Sequence, residues 1–390
     1  MARRKRGLMG IGKQLIEKIQ KIRKSNVIVY FTGDRPPFAR AQIAEDAVRP
    51  LYDHLLNSKF GGDNKRTDLF LYSRGGSVSV PWRIVSMIRE FSDEFNVLIP
   101  YRAQSAATLL SLGADHILMG KKAELGPIDP TLVKAPVVET AVPPQEIAVE
   151  DVNSFLSFIK ERANLNDQDA LAGVLTHLIN QIGPLTVGNV NRQHHHIRLV
   201  ARKMLTSRRE KLDEEKISTI IETLTEKIYS HGHGIARKEA KDIGLPIDYP
   251  DDELEDLIWR LYLEYENYLK LREPIHPEMV LRDKENEIIE DMPIAVIESA
   301  SKLHMFRINI ELRKKRNIPS NPQININLGL QLPPGITPQQ LPQQFQQILN
   351  SLLAQISQRV AEIVRQEIIR QSPFIGIEGR AYGGRWVESI

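Results

Sequence analysis

The sequence predicts an α/β fold in which parallel strands are joined by helices. Between residues 26 and 129, short stretches rich in β-branched and aromatic residues alternate with stretches of helical periodicity. Such alternation is typical of parallel strands connected by crossover helices. Active sites in these sheets lie where strands end and helices begin, so we expect the chemistry at the strand-to-helix turns. The predicted strands are 26–31, 67–72, 96–101 and 116–119, and the predicted helices are 41–56, 78–91 and 106–112.

Composition restricts the class of protein. The chain has 390 residues, 42% of them hydrophobic and 26% charged, which is typical of a globular protein with two or three domains. The net charge of +3 is too small to indicate nucleic-acid binding, and none is expected. The absence of cysteine excludes a thiol nucleophile, a disulfide framework and a cysteine-based zinc site. We expect neither a metal nor a cofactor.

The N-terminus predicts a basic amphipathic helix rather than a targeting segment. Residues 1–6 are basic, but lysine and glutamate interrupt the following stretch, 8–22, where a signal peptide would be uniformly apolar. No apolar run approaches the roughly 18–20 residues of a membrane-spanning helix. We therefore expect a cytoplasmic protein without a transmembrane segment.

Downstream patterns divide the rest of the chain. A helical stretch over 149–228 precedes a helix over 251–271, whose aromatic stripe predicts packing against the domain or a neighbouring subunit. The C-terminal helix has one apolar stripe, which indicates oligomerisation, partner docking or packing on its own core. The predicted division is an N-terminal helix (1–25), an α/β domain (26–248), a helical and β-strand extension (249–316), a Pro/Asn-rich linker (317–337), and a C-terminal amphipathic helix with a tail (338–390).

Two strand-to-helix turns carry residues suited to acyl transfer. In the turn 73–77, consecutive glycines allow a sharp bend and leave amide groups unobstructed near a helix N-terminus. The second turn places Ser105 between small residues, although a serine there is also a common helix cap. Amides aimed at a developing oxyanion contribute about 2.7–4 kcal/mol each. The candidate donors of this oxyanion hole are the amides of Gly75, Gly76 and Ala106.

These turns and two later segments resemble the Clp/crotonase superfamily and its serine dehydrogenase proteinase family, related to signal peptide peptidase A and ClpP. The resemblance covers about residues 26–248 and implies a Clp/crotonase-like spiral of ββα units, followed by a helical and β-rich C-terminal extension. The similar segments, in order, are 71–78 (oxyanion segment), 105–107 with 112–119 (nucleophile segment), 124–130, and 229–234 with 239–246 (closing segment).

The resemblance implies a serine endopeptidase that hydrolyses peptide bonds through Ser105. It also implies a homo-oligomer that acts on a protein or peptide substrate, because similar enzymes form rings or stacks. Two alternatives stay open: a catalytically inactive oligomeric scaffold, and an acyl-CoA-binding protein of the crotonase type. Both predict that Ser105 can be replaced without loss of function.

The base that would activate the serine has no clear motif. Relatives use either a lysine or a histidine–aspartate pair, but the ClpP-type histidine position falls near Asp129 here, and no lysine lies between residues 160 and 203. His194 lies on the apolar face of a predicted helix and is the candidate base, because imidazole titrates near neutrality. Lys160 is the alternative, followed by Lys134. Adjacent histidines on a helix do not converge on one ion, so the run 194–196 does not predict a metal site.

Overall fold

The computed structural model describes residues 2–56, 65–128, 131–133, 146–165, 167–228, 232–318 and 342–389. The strands are β1 (Asn26–Thr32), β2 (Asp34–Arg35), β3 (Ala39–Arg40), β4 (Arg66–Tyr72), β5 (Glu94–Ile99), β6 (Arg102–Ala103), β7 (His116–Met119), β8 (Glu124–Leu125), β9 (Thr131–Val133), β10 (Glu146–Ala148), β11 (Ile235–Ala236), β12 (Ile247–Asp248), β13 (Asn286–Ser299), β14 (Leu303–Arg316) and β15 (Phe374–Ser389).

The helices are α1 (Ala2–Arg23), α2 (Val48–Leu56), α3 (Val80–Phe91), α4 (Ala106–Ser111), α5 (Val149–Ser157), α6 (Gln168–Ile182), α7 (Pro184–Thr206), α8 (Glu214–Glu222), α9 (Arg237–Asp242), α10 (Asp252–Tyr268), α11 (Pro277–Leu281) and α12 (Gln343–Gln371). Single helices separate the main strands up to β7, and four helices, α5 to α8, follow one another between β10 and β11. A 3-10 turn precedes α2 at Glu45–Ala47, and π-helical turns follow α5 and α8 at Phe158–Arg162 and Thr223–Lys227.

An eight-stranded sheet has the order β12-β7-β5-β4-β1-β13-β14-β15. The strands from β12 to β1 are mutually parallel, whereas β13 runs antiparallel to β1. A smaller sheet, β11-β8-β6, forms beside the ends of β4 and β5. The predicted α/β class, with parallel strands and crossover helices, is confirmed.

Both faces of the parallel strands are covered, which is why those strands read as continuous apolar runs. On one face, Ile28, Leu69 and Val97 belong to a core shared with α2, α3, α4, α7 and α8. On the other face, the core shared with α1 and α10 includes Phe31 and Tyr265, whose ring centroids are 5.3 Å apart. The predicted packing of the aromatic stripe is therefore confirmed.

One predicted helix begins later than its sequence pattern indicates. Helical periodicity covered 41–56, but the chain before the 3-10 turn is extended at Ile43. The amide of Ile43 donates to Gly75 O at 2.8 Å, and its carbonyl accepts from Ser77 N at 2.8 Å. Hydrogen bonds to a distant segment override the local preference for helix here.

The chain separates into two compact units. The first comprises Met1–Ile275, Glu290–Asn309 and Gly383–Ile390, and the second comprises His276–Ile289 and Ile310–Tyr382. Within the second unit, Arg316 forms a two-point ion pair with Glu285, with N···O distances of 2.7 and 3.0 Å. The predicted C-terminal helix is present as α12, but the polar tail is strand β15, which its composition did not indicate.

Among the described residues, no single helix combines the length and apolarity needed to cross a bilayer. Two consecutive helical segments, Gln168–Gln181 and Pro184–Thr206, are long and apolar enough only when they are taken together. The chain bends by 97° between them.

Candidate active site

Ser105 occupies a strained position between β6 and α4. Its backbone has φ 51° and ψ −116°, a combination that residues with a Cβ adopt only when the surrounding structure enforces it. The residue is half-buried and sits at the N-cap position of α4, yet its side chain makes no capping hydrogen bond. The hydroxyl has no hydrogen-bond partner in the described part of the chain. Ser105 is therefore not an ordinary helix cap, and its Oγ is left available.

The glycine turn that follows β4 packs directly against this serine. The amide of Ser73 donates to Arg102 O at 2.9 Å, and the amide of Gln104 donates to Ser73 O at 3.0 Å. At Gly75, where φ is 108°, an added Cβ would lie 2.8 Å from the Ser105 Cβ. The two turns that the sequence analysis singled out are therefore in contact, and a glycine is required where they meet.

The amides around the serine are not equivalent. The amide of Gly75 donates to Ser73 Oγ at 3.0 Å, so it is already satisfied. No acceptor is present for the amides of Gly76 and Ala106 among the described residues. Of the three predicted oxyanion-hole donors, only these two are available.

Thr108, which the sequence analysis did not identify, fixes the start of α4. Its fully buried hydroxyl donates to Ala103 O at 2.7 Å and accepts from the amide of Gly126 at 3.0 Å. These bonds join the nucleophile turn to the segment after β8. The sequence feature that could have indicated this role is a threonine one helical turn after the serine, in an otherwise apolar stretch.

Glu124 joins the remaining segments to this region. Its Oε1 accepts from Arg102 Nε at 3.0 Å and from Gln104 Nε2 at 3.1 Å. Gly234 packs against the same carboxylate, because β11 pairs with β8. Described parts of four segments that carry the family resemblance, widely separated in sequence, thus lie close to the serine: 73–76, 104–108, 124–126 and 234.

Neither His194 nor Lys160 contacts Ser105 in the part of the chain that the structure describes. His194 on α7 is half-buried, and its Nε2 lies 3.2 Å from Glu226 Oε1, which also contacts Arg198. Lys160 is exposed in the π-helical turn after α5. Lys134 and Asp129 lie outside the described residues.

Comparison with known proteins finds similarities in the N-terminal part of the chain. Residues 4–183 match the family model of the ClpP-like SDH-type serine proteinase. Two proteins of Methanocaldococcus jannaschii are similar: uncharacterized protein MJ0137 is 30% identical over 186 residues, and uncharacterized protein MJ1495 is 35% identical over 69 residues. These matches cover 47% and 18% of this chain, and they span only 54% and 24% of the relatives' own lengths.

Among solved structures, ClpP1 from Listeria monocytogenes matches 60% of this chain and 98% of its own, with 15% sequence identity and a TM-score of 0.32. A point mutant of the same ClpP1 matches 61% of this chain and 99% of its own, with 14% identity and the same TM-score of 0.32.

Proposed function

We propose, starting from the match of residues 4–183 to the ClpP-like SDH-type serine proteinase family, that this chain is a serine peptidase whose nucleophile is Ser105. One observation carries the assignment to this residue. Ser105 is held at positive φ with an unpaired hydroxyl, beside two amides that lack an acceptor in the described part of the chain. Strained backbone, a free nucleophile and free donors together are typical of acyl-transfer sites.

The geometry supports an acyl-enzyme mechanism. Ser105 Oγ would attack the peptide carbonyl and pass its proton to a base, forming an Oγ–C bond and a tetrahedral oxyanion. The amides of Gly76 and Ala106 would donate to that oxyanion. Collapse breaks the C–N bond, the protonated base supplies the proton to the departing amine, and water then hydrolyses the ester by the reverse proton path.

His194 is the base that we favour, because Glu226 orients its ring. A base held by a third group is the recurring arrangement for activating a serine. When Nε2–H donates to Glu226, Nδ1 keeps a lone pair that can accept a proton. Because His194 does not contact Ser105, α7 would have to move to bring the imidazole to the serine. Lys160 is the alternative base, and its exposure leaves its amine free to move.

By analogy with ClpP-type proteases, we also propose that the chain acts on peptides as a homo-oligomer in the cytoplasm. One observation favours a second function, that of an inactive scaffold: Ser105 contacts no base in the described residues. The acyl-CoA alternative has no comparable observation in its favour.

Labelling with a fluorophosphonate probe tests the proposal. The purified protein should be labelled between about pH 6 and 9, the range in which a histidine or a perturbed lysine can act as base. Ser105→Ala should abolish labelling, while Ser79→Ala, an exposed serine near the same turn, should not change it. His194→Ala and Lys160→Ala then identify the base. An unlabelled wild-type protein would favour the scaffold.

A further inference from the structure

Ser73 is a fully buried polar residue whose polar groups are all engaged. Its amide and carbonyl bond to Arg102 and Gln104 at 2.9 and 3.0 Å, on the nucleophile turn. Its Oγ accepts from the amide of Gly75 at 3.0 Å and from the hydroxyl of Thr32 at 2.8 Å, and it donates its own proton to Gly75 O at 3.4 Å. Since an unpaired buried hydroxyl is costly, this complete pairing fixes the side chain in one orientation.

The hydroxyl determines which amides remain free. By accepting from the Gly75 amide, it turns the Arg74–Gly75 peptide group towards the protein interior, and by donating to Gly75 O it also contacts the Gly75–Gly76 peptide group. The adjoining peptide is held by Ile43, whose amide donates to Gly75 O and whose carbonyl accepts from Ser77 N, both at 2.8 Å. Gly76 is locked between these bonds, because an added Cβ would lie 2.3 Å from Ile43 O. Its own amide is left without an acceptor among the described residues.

We infer that Ser73 is a positioning residue, whose backbone ties the oxyanion turn to the nucleophile turn. Its hydroxyl bonds to both the amide and the carbonyl of Gly75 and so orients the Gly75 backbone such that the next amide, that of Gly76, serves the oxyanion. This inference rests on the proposed peptidase function. Ser73 touches neither the substrate nor Ser105 Oγ. It acts through Gly75, which is packed against the nucleophile.

Thr32 supports this orientation from the end of β1. A hydroxyl has one proton and two lone pairs, and the lone pairs of Ser73 Oγ accept from Thr32 and Gly75. Removing the Thr32 hydroxyl leaves the bond to Gly75 in place but less constrained. We therefore expect a graded response, with a larger effect at Ser73 than at Thr32.

The test measures fluorophosphonate labelling of the full chain at increasing probe concentration. Ser73→Ala deletes the hydroxyl and keeps the backbone bonds to the nucleophile turn. We expect the maximal labelling rate constant to fall about 10- to 100-fold, while the half-saturating probe concentration and the pH midpoint of labelling stay unchanged. Thr32→Val should lower the maximal rate constant several-fold.

Ser111→Ala is the matched control, because Ser111 is equally buried and its hydroxyl bonds only to Ala107 O, at 2.8 Å, among the described residues. It should label at the wild-type rate. Labelling of Ser73→Ala at the wild-type rate, or a shift in its half-saturating concentration alone, would overturn the inference and leave the peptidase proposal intact. If Ser73→Ala does not fold, Thr32→Val provides the test instead. A maximal labelling rate constant of Thr32→Val equal to that of the wild type would then overturn the inference. An unlabelled wild-type protein overturns the peptidase proposal itself.

Discussion

Two serines in the first compact unit each have some of the features of a catalytic serine, and each lacks what the other has. Ser105 has strain, partial exposure and free amides, but its hydroxyl contacts no base in the part of the chain that the structure describes. Ser299, at the end of β13, has a histidine partner but lacks the strained backbone and the exposure of Ser105. Its hydroxyl lies 2.8 Å from His54 Nδ1, and His54 Nε2 lies 3.0 Å from His304 Nδ1.

The second arrangement looks like a catalytic relay but lacks what a reaction requires. Ser299 is 6% exposed and His54 is 1% exposed, so a peptide carbonyl has no access. Ser299 also continues the regular pairing of β13 with β1, opposite Ile28. Burial, together with the neighbouring His304 and Lys302, lowers the pKa of His54 from 6.5 to about 3, so the ring stays neutral. A Ser–His hydrogen bond therefore does not by itself indicate a nucleophile, and our proposal for Ser105 rests instead on its exposure and backbone geometry.

The largest expected effect comes from filling the contact between the two turns of the Ser105 site. Gly75→Ala places a methyl group against Ser105 and is strained at φ 108°, so labelling should fall about 100- to 1000-fold. Gly188→Ala is the matched control, because nothing lies within 4 Å of its added Cβ and it lies within α7. Normal labelling of Gly75→Ala would show that the two turns do not form the reactive site.

Substitutions in the Ser299 cluster, which comprises Ser299, His54 and His304, should lower the stability of the fold and leave the labelling of Ser105 unchanged. His54→Ala removes a buried ring and leaves Ser299 and His304 without their partner, so the free energy of unfolding should fall by about 3 kcal/mol. Ser299→Ala should cost about 1 kcal/mol. Urea unfolding measures both, and labelling of Ser105 should persist in both variants. Loss of labelling in folded Ser299→Ala would instead make Ser299 the nucleophile.

The same cluster should destabilise the protein in acid. Above pH 6.5, His54 is neutral in both the folded and the unfolded chain. As the pH falls towards 3, the unfolded chain binds a proton that the folded chain does not, so the free energy of unfolding decreases, by about 2 kcal/mol at pH 5.

The pH test compares wild-type protein with His54→Ala, because other groups titrate in the same range. Glu298, whose pKa burial raises to about 7, acts with the opposite sign and is present in both proteins. The stability advantage of the wild type over the variant should shrink from pH 7 to pH 5. An advantage that is independent of pH would mean that His54 has the same pKa in the folded and in the unfolded protein.

The smallest effect is expected at the distant His194. If Glu226 orients this base, Glu226→Gln should lower the labelling rate about tenfold by weakening the stabilisation of imidazolium. The exposed ion pair Arg260–Asp256 provides a control, and Asp256→Asn should leave labelling unchanged. If Glu226→Gln and His194→Ala both label at the wild-type rate, His194 is not the base, and Lys160 and Lys134 remain as candidates.

The sequence by itself determined the parallel strands, the crossover helices and the two reactive turns. These features depend on short-range patterns: apolar runs such as 26–31, helical periodicity, and small residues around Ser105. Where local preference and distant pairing disagreed, the sequence prediction was wrong. Ile43 was predicted to be helical but bridges to Gly76. Strand β15, beside β14, was not predicted, because the tail was described only by its polar composition.

Only the tertiary structure decided which amides are free and which serine has a histidine partner. Gly75 and Gly76 are adjacent and alike in sequence, but the Ser73 hydroxyl engages one amide and leaves the other. Ser299 and His54 lie 245 positions apart, so no spacing rule could pair them. The reason is physical. Hydrophobic periodicity indicates the secondary structure of a segment and which of its faces is buried, whereas hydrogen bonds between distant segments form only after the chain has packed.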